Sequence, residues 1–560
     1  MNLTAATASA AGLLAFSVVA QTPVIQYALP GAAPAGKSTH VSFVGENLTG
    51  ATGLWTSFPA KTVLKSNETE RATFELAVEK DTPPGIGAVR LIATNGISSL
   101  CLFLIDDLPS VAESASNKTI AVAQSVKLPV AVDGACDEVS FDYYKFSARK
   151  GQRVTAEVVA QRIGSRADPV MRLLDANGRE LAYCDDDPGL GRDARFQFKA
   201  PVTGEFFIEV RDMNYQGGPQ YRYRVRLGDF PLASCAFPLA AATGTKTRFK
   251  ILSGAGDDLQ PVALCLPAGA TRVSIGTKYP RGQDSEFVSV FGSEIPDVLE
   301  QEPNDTTNAA QQVILPTAVN GRFEKDKDRD LFQFEAKKDQ RLIFQAKTRS
   351  LGSPCDVFME LEKADGSKLT QANVTGADEG SITNTFKEAG IYRLLVEELN
   401  RRGAPNLAYR VEIEPFQPGF ALSVEQEKVH GTNGGNIEIK VTATRYDYNG
   451  PINLSLDGLG ADVAIENAVV EEKKTNTTLK VTIPAQFEPS HFVQFKIAGR
   501  AKIGEREVIA TASTLPALRS LFPNLTYPPA ELDGLIGLGI LPPGSKPPAE
   551  KPRRRRNQAD

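Results

Sequence analysis

The chain has 560 residues, with 62 Lys and Arg against 67 Asp and Glu and a net charge of −5. At usual domain sizes that is about three to five domains, and its weak acidity argues against a whole-chain nucleic-acid binder. Its three histidines, His40, His430 and His491, stand in no HExxH or HxH cluster, which removes zinc-peptidase and multi-His metal sites from the reading. No P-loop occurs, nor a GxSxG at a plausible strand-to-helix turn.

In chain order, residues 1–20 read as a secretory signal: a short apolar run from Ala10 ends Val18-Val19-Ala20 before Gln21. It departs from the usual pattern in carrying no Lys or Arg before Lys37. The run is too short to span a membrane, and no later stretch reaches that length. Alternation at period two then dominates, as in Tyr144, Phe146 and Ala148, in Phe206, Ile208 and Val210, in Tyr392, Leu394 and Val396, and in Ile437, Ile439, Val441 and Ala443. Clusters of Gly, Pro, Asn and Asp punctuate these runs. The expectation is an all-β chain of tandem β-sandwiches. Their spans are 22–107, 108–229, 230–297, 298–415 and 416–515. Residues 516–560, with Leu535–Leu541 and the Arg553–Arg556 run, read as a Pro-rich and basic tail leading out of the ordered chain.

A repeat organises the middle of the chain. Asp142-Tyr-Tyr-Lys-Phe146 matches Asp330-Leu-Phe-Gln-Phe334; Asp168 matches Asp356, and Gly178 matches Gly366, all 188 residues apart. Upstream, Asn117 matches Asn304 and Leu128-Pro129 matches Leu315-Pro316 at 187; downstream, Gly204 matches Gly390 and Tyr223 matches Tyr409 at 186. Leu29-Pro30 and Gly36 match Phe237-Pro238 and Gly244 at 208. A unit of one small and one larger module is therefore duplicated, with one further sandwich behind it.

The larger module resembles the bacterial pre-peptidase C-terminal domain. Its signature is clearest in the second copy: Glu300-Gln-Glu302-Pro-Asn304-Asp305, Asp328-Arg-Asp330, Asp356, Asp365-Gly366, Gly390-Ile-Tyr392 and Tyr409. The resemblance covers about 111–228 and 298–414. The small modules and the last one look like immunoglobulin-like or IPT-type sandwiches. The resemblance implies jelly-roll-like sandwiches of the kind that follow secreted peptidases, related to collagen-binding domains of which some bind calcium. No peptidase domain accompanies them here, since the modules account for nearly all of the chain.

By that resemblance the second copy's calcium ligands would be Glu300, Glu302, Asn304, Asp305, Asp328 and Asp330. Such carboxylates repel one another unless a cation neutralises them. The first copy keeps Glu113, Asn117 and Asp142 but has Ala115, Lys118 and Ser140 at the other positions. Calcium is expected in the second copy only; the alternative is a solvated acidic linker and turn. Asp185-Asp186-Asp187 reads as a solvated loop. Cys136 with Cys184, and Cys235 with Cys265, are candidate disulfides, against six reduced thiols. His40 and His430 read as surface or edge residues, and Trp55 as a core residue of its sandwich.

The expected function is a non-catalytic exported protein, secreted, periplasmic or at the cell envelope, that binds or scaffolds on a protein or polysaccharide. The alternative is an accessory or processing module of a secreted peptidase encoded separately. A hydrolase whose site is assembled from loops is a third, weaker reading.

Overall fold

The structure is a computed structural model that describes residues 21–545 apart from 281, 283–284, 375–377 and 461–462. The secretory segment and the Arg553–Arg556 run lie outside the described residues. The protein is all-β and multi-domain, and the alternation seen in the sequence is what buries each strand. In Asn436–Tyr446, Ile437, Ile439, Val441 and Ala443 face the core while the residues between them face water.

The N-terminal module pairs Val24–Leu29, Ser38–Glu46, Arg71–Val78 and Ala60–Asn67 in one sheet. The second sheet runs Ala32–Ala33, Cys101–Ile105, Gly85–Ala93 and Ala51–Thr56. The smaller module after residue 230 keeps two three-stranded sheets. Gly36 and Gly244 sit at matching turns with φ of 74° and 75°, a left-handed conformation that glycine adopts without penalty.

Both larger modules contain two five-stranded sheets in one order. In the first copy these are Ser110–Ala112, Val130–Ala135, Arg222–Gly228, Arg153–Val159 and Arg195–Lys199, facing Gln124–Ser125, Asp142–Ala148, Gly204–Asp212, Pro169–Leu174 and Glu180–Cys184. In the second they are Asp297–Leu299, Thr317–Arg322, Ala408–Pro415, Arg341–Lys347 and Ser381–Thr385, facing Gln311–Gln312, Arg329–Ala336, Gly390–Glu398, Val357–Lys363 and Lys368–Asn373. Each pair of sheets closes over its own apolar core.

Residues 516–541 are not a tail. Leu515–Leu521 is a helix, and Ile536–Leu541 is a fully buried strand. That strand pairs in parallel with Lys428–Thr432 and antiparallel with Phe492–Ile503, completing the last sandwich. A run buried on both faces has no alternation to announce it.

The last module packs back on the first. Ala88, Leu100 and Leu102 meet Leu518, Phe522 and Leu532 in one apolar cluster, with Trp55 at its side. Trp55 thus lies at a seam, 6.2 Å from Phe492, rather than in the core of its own sandwich. His430 is no surface residue either: its Nε2 accepts the Ile97 N–H at 3.0 Å. Burial, then the nearby Lys428 charge, pushes its pKa down to about 3. Arg90 pairs with Glu427 across the same seam.

A buried ionic cluster ties three modules together. Arg224 pairs with Asp106 of the N-terminal module and with Asp133, each at 2.9 Å. Arg226 pairs with Asp106 at 3.3 Å, with Glu286 of the second small module at 2.7 Å, and with Glu157. Removing one member of such a set strands its partner in the interior, at about 3–5 kcal/mol. All six cysteines are free thiols, so neither suggested disulfide pair is joined.

Candidate cation site in the second copy

The six acidic and amide positions singled out in the sequence come from two segments. Glu300, Glu302, Asn304 and Asp305 lie on the stretch leaving the strand Asp297–Leu299, and Asp328 and Asp330 lie at the start of Arg329–Ala336. The Leu331 N–H donates to the Asn304 carbonyl at 3.1 Å, and the Glu300 N–H to the Asn320 carbonyl at 2.9 Å, which lays the first segment against the sheet.

This brings Glu302, Asp328 and Asp330 together, with one carboxylate oxygen of each within 4.8 Å of the others. Asp330 is wholly buried and Asp328 nearly so, while Glu302 opens to solvent. Glu300 flanks them. Its Oε1 accepts the Arg322 N–H at 2.7 Å, and the Tyr409 hydroxyl lies between its Oε2, at 3.5 Å, and Asp330 Oδ2, at 2.6 Å. Asp305 stands at the rim, accepting from Lys325 Nζ at 3.0 Å and from the Arg329 N–H at 3.4 Å. The sequence reading missed Lys325 and the role of the Tyr409 hydroxyl; the closing tyrosine was the signal for the latter.

Burial, then the Asp330 charge, pushes Glu300 up to about 9. Burial raises Asp330 to about 7, with the Tyr409 hydrogen bond opposing. Buried polar atoms are also left over. Asn304 is 0% exposed, and its side chain lies against the Asp330 carboxylate without a hydrogen bond of good geometry at either Oδ1 or Nδ2. Buried polar atoms without partners are rare and ask for an explanation. Carboxylates and an amide oxygen, without thiolate or imidazole, form a hard oxygen set that suits calcium rather than zinc.

The first copy handles the same place differently. Lys118, which aligns with Asp305, sends its ammonium inward to Glu113 at 3.0 Å, to Asp137 at 2.9 Å and to Asp142. Burial works against this charge, but the bonds to Asp142, Asp137 and Glu113 hold it above the ordinary lysine range. The Tyr223 hydroxyl donates to Asp142 at 2.7 Å, as Tyr409 does to Asp330. Asp137 in turn aligns with Lys325. A Cβ added at Gly217 would strike the Asp137 backbone, and one at Gly403 the Lys325 backbone. The Lys–Asp pair is therefore present in both copies with its polarity reversed.

In the acidic loop, Asp187 is paired with Arg195 at 2.7 Å, and Asp185 accepts the Tyr183 hydroxyl at 3.1 Å.

Solved structures similar to the chain include a protein from Eubacterium rectale described as secreted. It is 9% identical, with 53% of this chain and 81% of that one covered at a TM-score of 0.16. Another is the SGBP-B protein of the Bacteroides ovatus mixed-linkage glucan utilization locus, in complex with a heptasaccharide. It is 8% identical, with 68% and 72% covered at a TM-score of 0.14. Scores this low add nothing to the architecture, which rests on the sheets. A probable subtilase-type serine protease of Deinococcus radiodurans is 38% identical over 74 residues. That stretch is 13% of this chain and spans only 10% of the relative's length. Residues 140–212, in the first copy rather than in the second where the acidic signature was read, match the bacterial pre-peptidase C-terminal domain.

Proposed function

We propose that the chain is an exported, non-catalytic, multi-module β-protein that binds or scaffolds at the cell envelope or outside the cell, on a protein or polysaccharide partner. The observation that carries this reading is the buried ionic cluster of Asp106, Arg224, Arg226 and Glu286. It fixes three modules in one arrangement, so that their outward loops and sheet faces form a single rigid surface. Rigid elements presenting loops are how sandwiches commonly bind, and the ligand is set by the site rather than by the fold. Capture assays of the full chain against envelope polysaccharides and matrix proteins test the reading. Saturable binding to one of them is expected; retention of none contradicts it.

A second copy that belongs to the same domain family as the first completes this reading, with calcium as its ion. Glu300, Glu302, Asn304, Asp328 and Asp330 would hold it, and it would neutralise carboxylates that the fold forces together.

One observation favours a second reading, an accessory module of a secreted peptidase encoded separately. The 74-residue similarity is to a protein named as a serine protease. Co-purification of a peptidase with the full chain, and loss of that peptidase's secretion when the chain is deleted, are its expected signs.

A further inference from the structure

The seam between a small module and the sandwich that follows it occurs twice, and different residues line the two crevices found there. At the second seam, Cys235, Leu239, Leu252 and Ala408 close an apolar cluster. Beside it Asn406 donates to Ser234 Oγ at 3.0 Å. At the first seam the position of Cys235 holds Tyr27, that of Ala408 holds Arg222, that of Pro354 holds Arg166 and that of Asn406 holds Gln220. The crevice at this first seam is about 270 Å³, with Phe522 of the C-terminal region forming part of its wall, against about 380 Å³ at the second seam, where Ser234, Pro354 and Asn406 line it.

Arg222 is the unusual residue in it. Its guanidinium lies 3.7 Å from the centre of the Tyr27 ring, and its Nε is shut from water without a hydrogen bond. Two and four positions further along the same strand, Arg224 and Arg226 are each closed by two or more carboxylates. Arg195, also lining a seam, has Asp187. Neither Arg222 nor Arg166 has a carboxylate within ion-pair reach among the described residues. A guanidinium is weakly hydrated, and its planar fork is shaped for a carboxylate. Gln220 and Phe522 line the same crevice, as does Asp133, whose carboxylate is held by Arg224 at 2.9 Å. That mixture suits a sugar, which presents hydroxyls on its rim and C–H groups on its faces.

We propose that this crevice binds the carboxylate-bearing end of an acidic saccharide, with Arg222 taking the carboxylate and Arg166 adding positive charge at the mouth. The proposal rests on the binding role argued above and names its ligand class. The crevice is at the small end of ligand pockets, which usually run to about 300–1,000 Å³, so a terminal sugar rather than a long segment is the occupant.

The test is calorimetric titration of the full chain with trigalacturonate, with galactotriose as the uncharged control. Wild type is expected to bind trigalacturonate, more weakly as salt rises, and galactotriose at least tenfold less well. Arg222→Ala should lose at least tenfold in trigalacturonate affinity while keeping its melting temperature, since alanine already stands at the matching position of the second seam. Absence of trigalacturonate binding, equal binding by Arg222→Ala, or equal binding of galactotriose overturns the site. So does occupation by a peptide with a free C-terminal carboxylate in place of the saccharide. If Arg222→Ala still captures an envelope polymer as wild type does, this site fails and the broader binding role stands. If trigalacturonate titrates but no polymer is captured, the broader role fails and the site stands.

Discussion

In the first copy a lysine ammonium reaches inward to Glu113, Asp137 and Asp142. In the second, Asp305 takes the place of that lysine, and the ammonium has moved to Lys325 on the outer side, 57% exposed. There it touches Asp305 at 3.0 Å, Asp328 at 3.4 Å and Glu302 at 3.8 Å, and reaches neither Glu300 nor Asp330. One copy thus carries its counter-charge on its own chain. The other has more carboxylates, a lysine mostly in water, and a buried Asn304 amide in the middle without a hydrogen bond of good geometry. The difference teaches that one fold can make its acidic pocket self-sufficient or dependent on an outside cation by exchanging two residues.

The largest expected effect comes from breaking the self-sufficient copy. Lys118→Met leaves Glu113 and Asp142 facing each other without a cation, and the loss should be about 3 kcal/mol. Hydrogen exchange of the strand Asp142–Ala148 in chelator should rise sharply, while the strand Arg329–Ala336 is unaffected.

Withdrawing calcium should do the converse. At a free concentration one hundred times the Kd, a bound ion contributes about 2.7 kcal/mol. Exchange in chelator should therefore rise around Asp328 and Asp330 and leave the first copy's protection unchanged. Equal effects in both copies would erase the distinction.

The pH dependence sharpens it further. Glu300 at about 9 and Asp330 at about 7 lie above their ordinary values of 4.5 and 3.8. The folded second copy therefore holds protons that the unfolded chain releases. In chelator its stability is full below those ordinary values and drains as pH rises through 7 to 9. Calcium should remove most of that slope, because the ion takes over from the protons. Urea unfolding at pH 5, 7 and 9, with and without calcium, measures this.

The smallest effect is at Lys325. An exposed ion pair contributes less than about 1 kcal/mol, so Lys325→Ala should scarcely alter the metal-free protein. It should instead raise calcium affinity a few-fold by removing a competing positive charge, as titration calorimetry would read.

Much of this comparison was legible in the sequence. Constant separations aligned Asp142 with Asp330 and Tyr223 with Tyr409, because a repeated fold keeps its core residues in step. The replacement of Asp305 by Lys118 was visible too. Its reciprocal, Asp137 against Lys325, was not, because a one-residue change of register falls between the flanking matches. Ile536–Leu541 reads as tail in the sequence because a strand buried on both faces lacks alternation and this one carries two glycines in six residues. The Asp106–Arg224–Arg226–Glu286 cluster joins residues 60 to 120 positions apart, and no local pattern marks such pairs. His430 looked like an edge residue because the surface that covers it belongs to the first module.

The most direct test is a calcium titration of chelator-treated full-length protein, wild type beside Asp330→Asn. One ion per chain in wild type and none in Asp330→Asn is the expected result. No ion in wild type, two ions, or one ion that survives Asp330→Asn would contradict the account.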